Sequence, residues 1–235
     1  MTRSNISRRG FLTSGAAAGL LWSSRVAGGS PIPLIDTHQK EARNVIFLVA
    51  DGMNTGTWSI ADYYTQHQSQ QRTEWVQLYQ EEAVTRSLME TCSSNSHVTD
   101  SAAAASSWST GQRINNGAIN VSPDGSALVP IHELVKKSRR STGLVTTTRV
   151  THATPAAFAA SVASRGKEDA IALQYLERGV DVILGGGSKH FDGAKRGDKI
   201  DLAGRYQAEG YEWMESREQL ISRSGELPKR LLGTF

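Results

Sequence analysis

Apolar and polar positions fall into blocks along this chain, and the blocks change period. Residues 44–50 (Asn-Val-Ile-Phe-Leu-Val-Ala) are almost wholly apolar, the pattern of a central parallel strand buried on both faces. The run ends in Asp51-Gly52-Met53-Asn54-Thr55-Gly56, a turn sequence, and residues 57–67 then read as a helix. Residues 68–82 are polar around Trp75 and Tyr79 and read as a loop with some helix, while 83–91 alternate like a strand. A polar loop, 92–97, leads to Val98-Thr99-Asp100-Ser101 and four alanines. Alanine loses no side-chain entropy in a helix, and Asp100 or Thr99 can cap the first turn, so a helix is predicted to begin at Ser101. Further on, 131–140 read as a helix with a basic end and 144–148 as a strand. A helix opens at Thr154-Pro155, with Arg165 near its far end. A strand at 180–184 is closed by Gly185-Gly186-Gly187. Amphipathic helices follow at 202–209 and 216–223, and an apolar strand at 231–235. Strands alternating with helices predict an α/β fold: a doubly wound, mostly parallel sheet with helices on both faces.

Charge changes the picture only at the N-terminus. The 235 residues carry a formal charge of +3, but Arg3, Arg8, Arg9 and Arg25 stand in the first thirty residues without an acid, and the remainder is −1. That excludes a basic nucleic-acid footprint on the main body. Arg8-Arg9-Gly10-Phe11-Leu12 precedes a short uncharged run to Trp22. These are the parts of an export signal of the twin-arginine type, and the run is too short to anchor in a bilayer. The predicted divisions are a signal at 1–29, a linker or arm at 30–43 and a catalytic-type domain at 44–235. The protein is expected to reach the periplasm or the cell exterior. Cys92 is the only cysteine, so neither an intrachain disulfide nor a thiolate zinc site can be built.

The candidate chemistry starts at Ser101. At a helix N-terminus, free N–H groups and the positive end of the dipole meet, which suits an anion. Asp51, at the end of a predicted strand, offers a hard oxygen ligand to a divalent cation. A serine hydroxyl is a weak nucleophile, and a cation or a helix N-terminus favours its alkoxide. The triple glycine lacks the lysine placement of a phosphate-binding P-loop and reads as a strand-to-loop turn.

Three strings, VIFLVADGMN, VTDSAAAASSWSTG and THATPAAFAASVASR, with Asn116-Gly117-Ala118 behind the second, together resemble the alkaline phosphatase family in order and spacing. The resemblance covers about residues 44–235. It implies metal-dependent hydrolysis of phosphate monoesters through a phosphoserine on Ser101, with zinc and magnesium as cofactors. By the same resemblance Asp51 bridges a zinc and the third metal, Thr154 is a hydroxyl ligand of that third metal, and Arg165 grips the phosphate. His152 stands where branches of the family differ between aspartate and histidine. It is read as a hydrogen-bonding neighbour in preference to a direct metal ligand. Asn54 replaces a glycine common in the family. A homodimer is open to the full-length protein.

The chain is about half the family's usual length. Its histidines (His38, His67, His97, His132, His152 and His190) include no Asp-His pair, and the zinc ligands of the family's second half have no counterpart here. The expectation is a truncated chain with an incomplete zinc site and poor activity of its own. Two alternatives are a non-catalytic fragment that binds phosphate weakly, and another hydrolase of the superfamily, of phosphodiesterase or sulfatase type. The Asp100-Ser101-Ala102-Ala103 context and Arg165 argue against the latter.

Overall fold

A computed structural model of the chain describes residues 42–82, 84–223, 225–226 and 228–235. The predicted signal at 1–29, and the linker up to residue 41, lie outside the described residues. Contacts divide the chain into 1–49 and 50–235. In the first unit the described residues carry no helix or strand, and Val45, Ile46, Phe47 and Leu48 are exposed.

The second unit is built from α1 (Thr55–Ser69), α2 (Glu74–Gln80), α3 (Ser101–Thr110), α4 (Ile131–Lys137), β1 (Gly143–Arg149), α5 (Ala153–Ala159), α6 (Glu168–Glu177), β2 (Val182–Gly186), α7 (Leu202–Ala208), β3 (Glu212–Met214), α8 (Arg217–Ser222) and β4 (Leu231–Thr234), with a 3-10 turn at Ser188–His190. The strands form one sheet in the order β1-β2-β4-β3, and every pairing is parallel. This is the α/β architecture that the alternation of elements predicts. Strand β2 carries two of the three glycines because it lies close to β1. A Cβ on Gly185 would stand 2.8 Å from Thr146 Cγ2 and 2.9 Å from the Thr146 carbonyl.

Helix α3 forms as its sequence requires. Asp100 Oδ1 accepts from the Ala103 N–H at 2.9 Å, and Gly111 ends the helix in the left-handed conformation, φ 72°. Ala102, Ala103 and Ala105 are buried, and the alanines of α3 meet the equally small residues of α5 in the core. Small side chains let two helices approach closely, which sets the distance between the N-termini of α3 and α5. Around them lie Val150, Ile171, Tyr175, Ile183, Phe191, Tyr206 and Leu232, all fully buried.

Helix α6 and strand β3 lie where the sequence reading gave no element, and the structure departs from that reading further in the following places. Residues 44–50 are not a strand. An extended run becomes a strand only when neighbours take up its N–H and C=O groups, and the described sheet is laddered by β1–β4 alone. Residues 84–91 are irregular for the same reason, with Leu88 and Met89 exposed. Helix α5 starts one residue before Thr154, with His152 as its N-cap, so Pro155 stands at the third helical position. That position still falls among the first four N–H groups, which have no helical partner. Finally, α5 stops at Ala159, and Arg165 lies beyond it in the loop that leads to α6. The stop has a cause. The buried Asn120 side chain donates from Nδ2 to the carbonyls of Ala157 (2.5 Å) and Ala160 (2.7 Å), taking the groups a longer helix would have used.

Candidate active site

Three residues far apart in sequence meet at one carboxylate. Ser101 Oγ donates to Asp51 Oδ1 at 3.1 Å, and Thr154 Oγ1 donates to Asp51 Oδ2 at 2.8 Å. Ser101 is the first residue of α3 and Thr154 the second of α5, so the close packing of the two alanine-rich helices brings the hydroxyls together. Asp51 reaches them from a turn in which Gly52 adopts φ +68°, a conformation that glycine enters without strain.

A second constellation stands beside the first. Arg165 Nη1 donates to Asp100 Oδ2 at 3.0 Å, and Nη2 lies 3.1 Å from His152 Nε2. A guanidinium can only donate, so His152 Nε2 is the acceptor, and the ring is neutral with its proton on Nδ1. The titration tendency agrees: burial, then the charges of Arg165 and Arg149, push His152 below the ordinary histidine range. Arg165 is about one-third exposed. Its fork is thus oriented from two sides, and a guanidinium holds further N–H donors beyond those two.

The loop at Asn116-Gly117 ties the two constellations together. Asn116 accepts from the Asp100 N–H at Oδ1 (3.0 Å) and donates from Nδ2 to the Val98 carbonyl (2.9 Å). The Gly117 N–H donates to Asp100 Oδ2 at 3.0 Å, and the Gly117 carbonyl accepts from the Arg165 N–H at 2.7 Å. Asp100 therefore caps α3, receives Gly117 and pairs with Arg165 at once. Sequence reasoning saw Asp100 only as a cap and Asn116-Gly117 only as part of a similar string. A partnership spanning 65 residues leaves no local signal.

The five candidates named from the sequence are placed as two adjoining groups: Asp51, Ser101 and Thr154 in one, His152 and Arg165 in the other. Their donor set decides which metals fit. Asp51 and Thr154 supply hard oxygens, the ligand type of magnesium. Among the described residues, no three His, Cys, Asp or Glu side chains are grouped to hold a metal ion, whereas a zinc site takes three or four protein ligands. The described residues fit an oxygen-ligated ion of the magnesium kind and do not complete a zinc centre.

The fold and these residues define a parallel α/β protein with a serine and an arginine at a helix N-terminus. The alkaline phosphatase family profile matches residues 42–235. The repressible alkaline phosphatase of Saccharomyces cerevisiae is 36% identical over 81% of this chain and 36% of its own length. Among solved structures, Thermus thermophilus alkaline phosphatase shares 38% identity at a TM-score of 0.71, covering 76% of this chain and 37% of that one. A variant of the alkaline phosphatase from the Antarctic bacterium TAB5, with magnesium bound in its M3 site, shares 28% at a TM-score of 0.57, over 68% of this chain and 48% of that one. The chain belongs to the alkaline phosphatase family. It spans half or less of the length of these relatives.

Proposed function

We propose that this chain carries the nucleophile and phosphate-gripping half of a phosphomonoesterase site, with Ser101 as the nucleophile. One observation supports this best. The Ser101 and Thr154 hydroxyls share the Asp51 carboxylate, while Arg165 is fixed on Asp100, the residue next to Ser101. An incoming phosphate would lie over the N-terminus of α3, its oxygens facing the Arg165 fork. Ser101 Oγ attacks phosphorus, the bond to the leaving oxygen breaks, that oxygen takes a proton from solvent and departs as the alcohol, and a phosphoserine remains for water to open to serine and inorganic phosphate. Asp51 Oδ1 is placed to accept the Ser101 hydroxyl hydrogen as the attack begins. A magnesium-type ion held by Asp51 and Thr154 would supply positive charge that favours the serine alkoxide. The zinc ions implied by the family resemblance remain a proposal for the whole protein, as do small phosphate monoesters as substrates and a homodimeric assembly.

The test is p-nitrophenyl phosphate hydrolysis with added magnesium and zinc, alongside trapping of the phosphoserine. Ser101→Ala is expected to abolish the covalent intermediate. Arg165→Ala is expected to weaken inhibition by inorganic phosphate more than it slows single turnover. An intermediate that persists in Ser101→Ala would refute the assignment.

We also propose export by the twin-arginine route, on the strength of Arg8-Arg9 ahead of an uncharged run. Among the described residues, no helix is long and apolar enough to cross a membrane. Changing both arginines to lysine is expected to hold a reporter fusion inside the cell, and continued export of that fusion would exclude this route.

A further inference from the structure

The turn that presents His152 and Thr154 is held from behind by α6. Glu168, the first residue of α6, takes Arg149 Nε at 2.8 Å on Oε2 and Arg149 Nη2 at 3.1 Å on Oε1. Its Oε2 also accepts from the fully buried Thr151 hydroxyl at 2.6 Å. Between those two residues, the Val150 carbonyl accepts from the buried Tyr175 hydroxyl, also on α6, at 2.8 Å. Three consecutive residues, 149 to 151, are thus anchored on one helix. His152 comes next, and its N–H closes the turn onto the Arg149 carbonyl at 2.9 Å.

Glu168 makes three of these four contacts. Its side chain is largely buried, and its bonds to Arg149 and Thr151 hold its carboxyl at about 2 despite burial, which acts the other way. The buried His190, on the 3-10 turn after β2, places Nε2 3.0 Å from Glu168 Oε2, a close approach not aligned as a hydrogen bond. Its Nδ1 lies 2.7 Å from Asp169 Oδ1. Glu168 therefore links the end of β1, the start of α6 and the turn after β2.

We propose that Glu168 is a positioning residue: it fixes the Arg149–Thr151 turn, and through it the placement of His152 against Arg165 and of Thr154 against Asp51. This rests on the phosphomonoesterase reading only for its catalytic consequence. The mechanical claim stands on the contacts alone. A carboxylate is needed because it must receive a guanidinium on both oxygens and a hydroxyl at the same time.

The experiment is backbone amide exchange followed by NMR on the full chain, without metal or substrate. Glu168→Ala is expected to speed exchange of the His152 amide about tenfold, the scale of losing charge-assisted bonds behind it. The Tyr206 and Ile183 amides, remote in the core, should change little. The ring nitrogen shift of His152 Nε2 is expected to move as its contact with Arg165 loosens. Glu168→Gln, which still accepts from Thr151, should restore part of the protection. Thr151→Val breaks the same bond from the other side and should also speed His152, which decides the matter if Glu168→Ala fails to fold. Uniform acceleration at all three amides, or an unchanged His152 amide in Thr151→Val, overturns the proposal. In a parallel assay of p-nitrophenyl phosphate hydrolysis, Glu168→Ala is expected to lower kcat about tenfold with a smaller change in KM. A wild-type chain with no turnover counts against the phosphatase reading alone, because the exchange measurement needs neither metal nor substrate.

Discussion

His132 is held by two partners that fix the tautomer of its neutral ring. Its Nε2 lies 2.9 Å from the Arg178 carbonyl, which can only accept, so Nε2 carries the proton. Its Nδ1 lies 2.9 Å from Thr142 Oγ1 and takes that hydroxyl as donor. Burial, with Lys136 and Arg178 nearby, pushes the ring below the ordinary histidine range, although the Arg178 carbonyl and Asp181 pull the other way. The folded value is depressed, so the neutral ring contributes stability that is fully present above the unfolded value of ~6.5. That contribution is lost as the pH falls from there toward the folded value. His132→Gln keeps a donor for Arg178 and is expected to cost about 1 kcal/mol at pH 8. It should also flatten the decline in stability between about pH 7 and 5. Urea melts of both proteins across that range check this, and parallel profiles would show that His132 is not the titrating group. The same residue-scale logic decides what could be read in advance. Ser101 announces itself because capping and alanine content act within a few positions. The Asp100–Arg165–His152 chain and the Glu168 anchor do not, because each partner is an ordinary polar residue until folding brings it to the others.

Elements were legible where their neighbours are also part of the described sheet. The stretches at β1, β2 and β4 were recognisable because each is laddered to the next, and the ladder completes what the pattern proposes. Residues 44–50 show the opposite case. Their sequence has the stronger strand pattern, yet no described strand ladders them. Hydrophobic period reports what a segment can bury and carries no information on whether a partner is present. Helix ends follow a similar rule. Asp100, Asp201 and Ser216 cap α3, α7 and α8 through local side-chain bonds, and those starts lie within a residue of the sequence reading. The end of α5 is set by Asn120, some forty residues earlier in the chain. That non-local bond is what moved Arg165 off the helix and into the loop where Gly117 and Asp100 receive it.

At the scale of the molecule, the sheet has an unusual margin. Parallel sheets are normally covered on both faces, and β4, inside this one, is buried along its whole length. Strand β1 stands at one edge of the described sheet, with β2 on its only laddered side. Leu144 and Thr146 are half-buried toward the core, but Val145 on the opposite face is 74% exposed, and Thr147 is exposed beside it. An edge strand with open N–H and C=O groups and an apolar side chain is a template for pairing with a second copy. The protein is therefore expected to self-associate in a concentration-dependent way through this edge. A lysine there should oppose it, since charge on an edge strand is a common guard against pairing. Val145→Lys is expected to shift the sedimentation-velocity distribution toward monomer. Because the side chain already faces solvent, its stability should stay within ~0.5 kcal/mol of the wild type. Two results would count against this account. An unchanged distribution would place the association elsewhere, and a loss of stability well beyond that margin would mean that Val145 is packed against something in solution.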